Sequence, residues 1–222
     1  MVANQDTYIL QILKNFPIAK YVGSLIVDKN MIAKRTEFMN WVHNQVEKRT
    51  SKGDTQRPDL MSHIMAHQGE KGASISQLEV DSNANLILVA GSETTATLLS
   101  GATHCLLKNP DKLAKLKQEV RGRWKEYSDI TLPDVNNAPY LIAVLSEALR
   151  FFPPVPTGFE RRVGPGGEMV SDVFIPEGTA VAVSHFAAYH SEANFKHADK
   201  FVPERWLDDP EYANDKRAAC QP

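Results

Sequence analysis

Glu93 and Thr94 sit in conflict with the residues around them. They follow Leu86-Ile87-Leu88-Val89-Ala90, a run apolar nearly all round. A helix with no polar face is expected to be buried. A buried carboxylate is costly unless paired, and Gly91 costs a helix about 1 kcal/mol relative to alanine. Local and global rules disagree at Ala90-Gly91-Ser92-Glu93-Thr94-Thr95, and such disagreements gather at functional sites. The chemistry implied is a helix that opens beside a bound group. Ala90 and Gly91 make room, and Glu93 and Thr94 handle protons. The plainer reading is a core helix whose hydroxyls bond one turn back and whose Glu93 pairs with a distant arginine.

A second constellation is Glu147 and Arg150, three apart on an apolar helix, so that their side chains can meet. On a surface such a pair contributes at most about 1 kcal/mol. Held in a core it makes geometry specific more than it adds stability. His63 and His67 have i, i+4 spacing, but HIMAH lacks the glutamate of the HExxH hydrolases, and no metal site is read there. The two cysteines, Cys105 and Cys220, form neither a CxxC pair nor a disulfide framework. Gly164-Pro165-Gly166-Gly167 is not a phosphate loop, because no Gly-Lys-Ser/Thr follows it.

The elements that must position these residues are legible in part. Ser76 and Glu79 form a capping-box pattern, and Asn109-Pro110 is a stop. The helix between them, Ser76 to Lys108, would span roughly 50 Å if unbroken. Upstream, residues 7 to 16 read as a short helix. Residues 30 to 50 read as an amphipathic one, with Met31, Ile32, Phe38, Met39, Val42 and Val46 mostly on one face. Asp59 caps a short helix expected to bury Leu60, Met61, Ile64 and Met65. Downstream, Asn109 is expected to cap a surface helix carrying Leu113, Leu116, Val120 and Trp124, with Pro110 in its first position. Residues 127 to 138 read as a loop. Pro139 opens the helix of Glu147 and Arg150, which stops at Pro153-Pro154. Beyond it, Glu160 to Val163, Glu168 to Phe174 and Thr179 to Ser184 read as strands of a small antiparallel sheet. The tail from Asp208 reads as loop.

Composition excludes more than it assigns. Hydrophobic residues make up 42%, charged residues 23%, and net charge is −2 over 222 residues. That is an ordinary globular chain with no sign of nucleic-acid binding. The start shows no basic region followed by an apolar run, so no signal peptide is read. No window reaches the length of a membrane span.

Five signals agree in order and spacing: AGSETT, the Ser-Glu-Ala-Leu-Arg helix, FFPPVPTGFERRV, the strands around IPEGT, and FVPERW. Together they resemble the C-terminal half of a cytochrome P-450, covering nearly everything from residue 30 onward. FIPEGTAV, AAYHSEANF and PERWLDDPEY are most similar to fungal microsomal members that act in secondary metabolism. The resemblance implies a mainly α fold with a small antiparallel β-sheet. It would be a single partial domain: helical to about residue 152, β region and PERW segment over 153–207, loop tail to 222. Glu147, Arg150 and Arg205 would form a buried ion triad. Thr94 would hydrogen-bond dioxygen bound at a haem, and Glu93 would feed protons. Ala90 and Gly91 would face the haem, Arg161 would pair with a propionate, and Val89, Val155, Thr157 and Phe159 would shape the substrate pocket. The reaction implied is monooxygenation of a small apolar substrate, with electrons from NADPH through a cytochrome reductase. A full-length relative would sit at the endoplasmic reticulum membrane, whereas this chain would be cytoplasmic or insoluble.

The family pattern also breaks. Its iron is held by a cysteine thiolate in a loop of the form FxxGxxxCxG, and Cys220 has neither flank of that loop. The expectation is a truncated monooxygenase lacking its iron ligand and inactive alone. The alternative is a non-catalytic scaffold that binds a partner or small ligand.

Overall fold

The computed structural model describes residues 29–53, 59–66 and 75–220. His67 and the helix expected at 7 to 16 lie outside them. The chain divides into two compact units, Met1–Val89 and Ala90–Pro222.

In the first unit, α1 (Lys29–Thr50) is the expected helix and buries Val42 and Val46, but Ile32 and Phe38 of its expected packed face are exposed. Asp59 accepts from the Ser62 N–H at 2.8 Å and caps α2 (Leu60–Ala66). Leu60 is nonetheless exposed and Met61, Ile64 and Met65 are half-buried, so the expected burial of this short helix is not found. A helix this short has too few positions to cover its own apolar face. His43 on α1 meets Asp81, whose carboxylate is 2.6 Å from its Nδ1.

Asp81 belongs to α3 (Gln77–Lys108), the long helix. Its start is the expected capping box: the Ser76 N–H donates to Glu79 Oε2 at 2.7 Å, and the Glu79 N–H donates to Ser76 Oγ at 3.3 Å. The expected burial of its middle is not found. Leu86 is 64% exposed, Ile87 50% and Val89 42%. Hydrophobicity all round states only that a helix needs cover, not that this stretch of chain supplies it.

In the second unit, α4 (Pro110–Arg123) follows at once. Asn109 does not cap it. Its Nδ2 instead donates back to the Cys105 carbonyl at 2.7 Å, closing α3. Residues 127 to 138 are more ordered than a loop. A short 3-10 turn at Tyr127–Asp129 leads to α5 (Leu132–Val135), whose N-cap Thr131 accepts from the Asp134 N–H. Then comes α6 (Pro139–Phe151), the helix of Glu147 and Arg150.

The β region is two antiparallel pairs. β1 (Arg161–Arg162) pairs with β4 (Ala180–Val181), and nested between them β2 (Glu168–Val170) pairs with β3 (Val173–Ile175). The middle run therefore holds a hairpin. Ser171 and Asp172 make its two-residue turn at φ 48° and 63°, the left-handed pair that a type I′ hairpin requires. A one-turn helix, α7 (His185–Tyr189), and a 3-10 turn at Pro203–Trp206 complete the frame. The tail is pinned rather than loose: it makes two further 3-10 turns, Pro210–Tyr212 and Arg217–Ala219, and buries Tyr212 and Cys220.

Two apolar clusters hold this unit. Ala102 and Cys105 of α3 pack with Tyr140, Val144 and Ala148 of α6 and with Phe201. A Cβ on Gly101 would lie 2.9 Å from that of Phe152, so glycine sets how closely α3 approaches the end of α6. The second cluster is Tyr189, Phe195, Ala198 and Cys220.

Candidate functional site

The clusters enclose a charged centre. Glu147, Arg150 and Arg205 are each 0% exposed. Helix α6 presents Glu147 and Arg150 on one face, and Arg150 grips Glu147 through Nε at 2.9 Å and Nη2 at 2.8 Å. Its remaining donors go to carbonyls: Nη1 to Tyr189 at 2.6 Å and Ala198 at 2.9 Å, Nη2 to Lys200 at 2.9 Å. Arg205, on the 3-10 turn at Pro203–Trp206, donates from Nε to Glu147 at 3.1 Å. Its Nη2 reaches the Lys196 and His197 carbonyls, and its Nη1 meets Asp215. The expected triad is thus brought together as a set of bonds.

Two donors to Glu147 were not expected from the sequence: the Val202 N–H at 2.8 Å and the Trp206 indole N–H at 2.9 Å. The carboxylate therefore accepts from four groups, which is how a charge survives burial. Phe195 lies between the two guanidinium groups, 5.3 Å from that of Arg150 and 5.7 Å from that of Arg205. Another unforeseen group, Glu119 of α4, receives the Tyr140 and Leu141 N–H groups at 2.9 and 2.8 Å. It caps α6, whose own N-cap residue, Ala138, has no side-chain acceptor.

Around Arg205 a second ion cluster ties α4 to the PERW turn. Glu204 is 2.6 Å from Lys115 Nζ and 3.0 Å from Lys112 Nζ. Burial pushes its carboxyl up, but hydrogen bonds from Lys115 and Lys112 outweigh burial and lower its pKa to about 2.

The AGSETT face is placed differently. Ala90, Gly91, Glu93 and Thr94 are exposed. Thr94 Oγ1 donates to the Ala90 carbonyl at 2.7 Å, the local bond that lets a hydroxyl stay in a helix. A Cβ at Gly91 would meet nothing within 4 Å, so that side of the helix is open. Val89 is exposed as well.

Arg161 on β1 is exposed, and its Nη1 donates to the Glu160 carbonyl at 3.2 Å. Among the described residues no hydrogen bond or ion pair joins Glu93, Thr94 and Arg161. The turn from Val155 to Phe159 is held from behind: His185 Nδ1 bonds the Val155 carbonyl at 2.9 Å, and the Phe186 N–H donates to the Pro156 carbonyl at 2.9 Å. Gly158, at φ +74°, lies so close to the Val183 carbonyl that a Cβ would be 1.9 Å from its oxygen. Thr157 and Phe159 stay exposed on this turn, and Val155 is half-buried.

The comparisons with known proteins decide the family. The cytochrome P450 family model matches residues 1–222. The chain belongs to the cytochrome P450 family. A cytochrome P450 monooxygenase, traB, of Penicillium crustosum is 53% identical over 216 residues, covering 96% of this chain and 42% of the relative. Another, lcsI of Purpureocillium lilacinum, is 46% identical over 95% of this chain and 40% of its own length. An averantin hydroxylase of Dothistroma septosporum is 45% identical over 96% of this chain and 40% of the relative. The chain thus spans about 40% of the length of these relatives. A crystal structure of a cytochrome P450, CYP102L1, superposes with a TM-score of 0.67 at 24% identity, over 82% of this chain and 41% of that one, and so shows the fold. The resemblance read from the motifs, the fungal relatives and the mainly α fold are borne out.

Haem is the group this family implies, and the residues present fit only part of it. The open face at Gly91 suits a flat ring, and exposed Arg161 suits a carboxylate at its rim. The iron is another matter. Both cysteines are buried. Burial pushes the Cys105 thiol up and the Cys220 thiol up to about 11. A cysteine ligand to metal is a thiolate, formed where nearby positive charge or the metal itself lowers the pKa. Arg150 pulls both thiols down, but burial outweighs it, so neither cysteine is held as a ready thiolate.

Proposed function

We propose that this chain is the oxygen-side helix and charged core of a haem-thiolate monooxygenase, acting on a small apolar substrate in fungal secondary metabolism. Haem, when bound, supplies the iron at which dioxygen is taken up and reduced. Thr94, whose hydroxyl now bonds the Ala90 carbonyl on the open face beside Gly91, would be the donor to oxygen held there. Glu93, solvent-exposed one position earlier, relays protons from water to that hydroxyl. Ala90 and Gly91 leave room for the ring and the substrate. Val89 and the turn of Val155, Thr157 and Phe159 shape the apolar pocket, and Arg161 holds a propionate. With the group bound, the chemistry would place one oxygen atom in a C–H bond of the substrate and release the other as water, with electrons from NADPH through a cytochrome reductase. The name averantin hydroxylase, borne by one relative, is a reaction of this kind.

The observation that supports this reading is the buried Glu147–Arg150–Arg205 network, in which both arginines donate to the one carboxylate. We read both units as parts of one partial domain. Neither Cys105 nor Cys220 is the iron ligand, so these 222 residues alone do not turn over. A membrane location is that of the whole enzyme, at the endoplasmic reticulum. Among the described residues no helix is long and apolar enough to cross a membrane.

The test uses the complete protein with haem, a reductase, NADPH, isotope-labelled dioxygen and a panel of small apolar substrates. The proposal requires label in the product, and less labelled product per NADPH consumed in Thr94→Ala. Product without label, or a Thr94→Ala variant that couples like the parent, contradicts it.

A further inference from the structure

The buried centre holds two guanidinium groups and, in the family motif, one carboxylate. Three such charges leave one positive charge uncompensated, which a low-dielectric interior does not tolerate cheaply. The structure supplies a fourth group from the tail. Arg205 Nη1 bonds the Asp215 carboxylate, whose side chain is 2% exposed. The other oxygen of Asp215 accepts the Lys196 N–H at 2.8 Å. Lys196 in turn gives its carbonyl to Arg205 Nη2 at 3.1 Å, so Asp215 and Arg205 close a ring through one residue. Arg205 is covered on its other side by Tyr212, 5.0 Å from the guanidinium carbon to the ring centre.

We propose that Asp215 is a positioning residue, the fourth charge of this centre, which makes it neutral and locks the segment from Lys196 to Cys220 against Glu147 and Arg150. Asp215 touches neither Glu147 nor Arg150 and acts through Arg205. It directly precedes two of the other anchors of that segment. The Lys216 N–H donates to the Asn194 carbonyl at 2.7 Å, and Arg217 Nη2 donates to the Leu207 carbonyl at 2.8 Å. Both of these anchors end on backbone carbonyls and neither supplies a negative charge, so the balance of charge is the part that Asp215 provides. The inference stands on geometry and does not need the monooxygenase reading to be right.

Asp215→Asn keeps the shape and removes the charge. The amide keeps an oxygen for the Lys196 N–H and fits the same space, but it replaces the oxygen facing Arg205 with an N–H donor and leaves Arg205 without its counter-charge. Cys220, buried at the end of the locked segment, reports opening. In the full chain carrying Cys105→Ala, the native-state reaction of Cys220 with the thiol reagent DTNB is expected to run at least about tenfold faster in Asp215→Asn. Asp215→Ala should react no more than slightly faster than Asp215→Asn. A rate for Asp215→Asn equal to the parent's overturns the proposal, because the charge would then do nothing. Amide hydrogen exchange in the unaltered chain needs no variant. The Lys196 N–H, held by Asp215, and the Val202 N–H, held by Glu147, should open together with equal protection. A Lys196 amide exchanging at least tenfold faster than Val202 overturns the single locked unit.

Discussion

Glu147→Gln removes one charge and no volume from the centre of the second unit. Glu147 is 0% exposed and accepts two bonds from Arg150, one from Arg205, one from the Val202 N–H and one from the Trp206 indole. The amide turns one acceptor into a donor that faces donors, and it leaves two buried guanidinium groups sharing the single carboxylate of Asp215. Removing one partner of a buried pair costs about 3–5 kcal/mol. Each buried N–H left without an acceptor adds about 1–3 kcal/mol. The expected loss is therefore about 4–8 kcal/mol, a large share of the roughly 5–15 kcal/mol that holds a domain folded. Urea unfolding of the full chain, followed by tryptophan fluorescence and circular dichroism, measures it. Glu93→Gln, on an exposed helix face, is the control and should change stability by less than about 0.5 kcal/mol. A Glu147→Gln variant within about 1 kcal/mol of that control would refute the reasoning, because the network would then be ornamental.

Other expectations concern acid, glycines and thiols. Glu204 has a folded pKa lowered to about 2 from the usual 4.5, so the stability it contributes is complete above pH 4.5 and is lost as pH falls toward 2. Unfolding free energies from pH 2 to 6 should show an acid slope that Glu204→Gln flattens. Gly91→Ala should keep or raise stability by up to about 1 kcal/mol, since its Cβ meets nothing, yet cut turnover of the complete enzyme where Gly91 makes room. Equal turnover would remove Gly91 from the site. Gly158→Ala, by contrast, sets a Cβ against the Val183 carbonyl at a left-handed φ, and should lower the melting temperature and displace the turn from Val155 to Phe159 in a crystal structure. Cys105 and Cys220, both with raised thiol pKa values, should react slowly with DTNB at pH 8 in the native chain and rapidly once unfolded.

What the sequence disclosed is what is local or carried by a motif. Ser76 and Glu79 sit one turn apart, and Pro110 and Pro139 open helices by their own geometry, so these boundaries were readable. Glu147 and Arg150 were readable as a pair, and Arg205 became their partner only through the family pattern. The rest depends on chain that returns from far away. Trp206 and Val202 reach Glu147 across more than fifty residues, and Glu119 caps α6 from α4, with no periodicity to announce either. Asp215 lies in a polar tail that resembles any solvated loop until Arg205 is placed beside it. The hairpin turn at Ser171-Asp172 lacks the glycine that usually signals φ above zero. The exposure of Leu86 to Val89 was misread because composition states the need for cover and not its source.

The central claim is that this chain supplies the oxygen-side helix and charged core of a cytochrome P450 while neither of its cysteines holds the iron. The reduced carbon-monoxide difference spectrum of the 222-residue chain mixed with haem tests it most directly, because the Soret position reports the axial ligand. The account predicts no thiolate-type band, with Cys105 and Cys220 buried as neutral thiols. A thiolate-type band that disappears in Cys220→Ala or Cys105→Ala would contradict it.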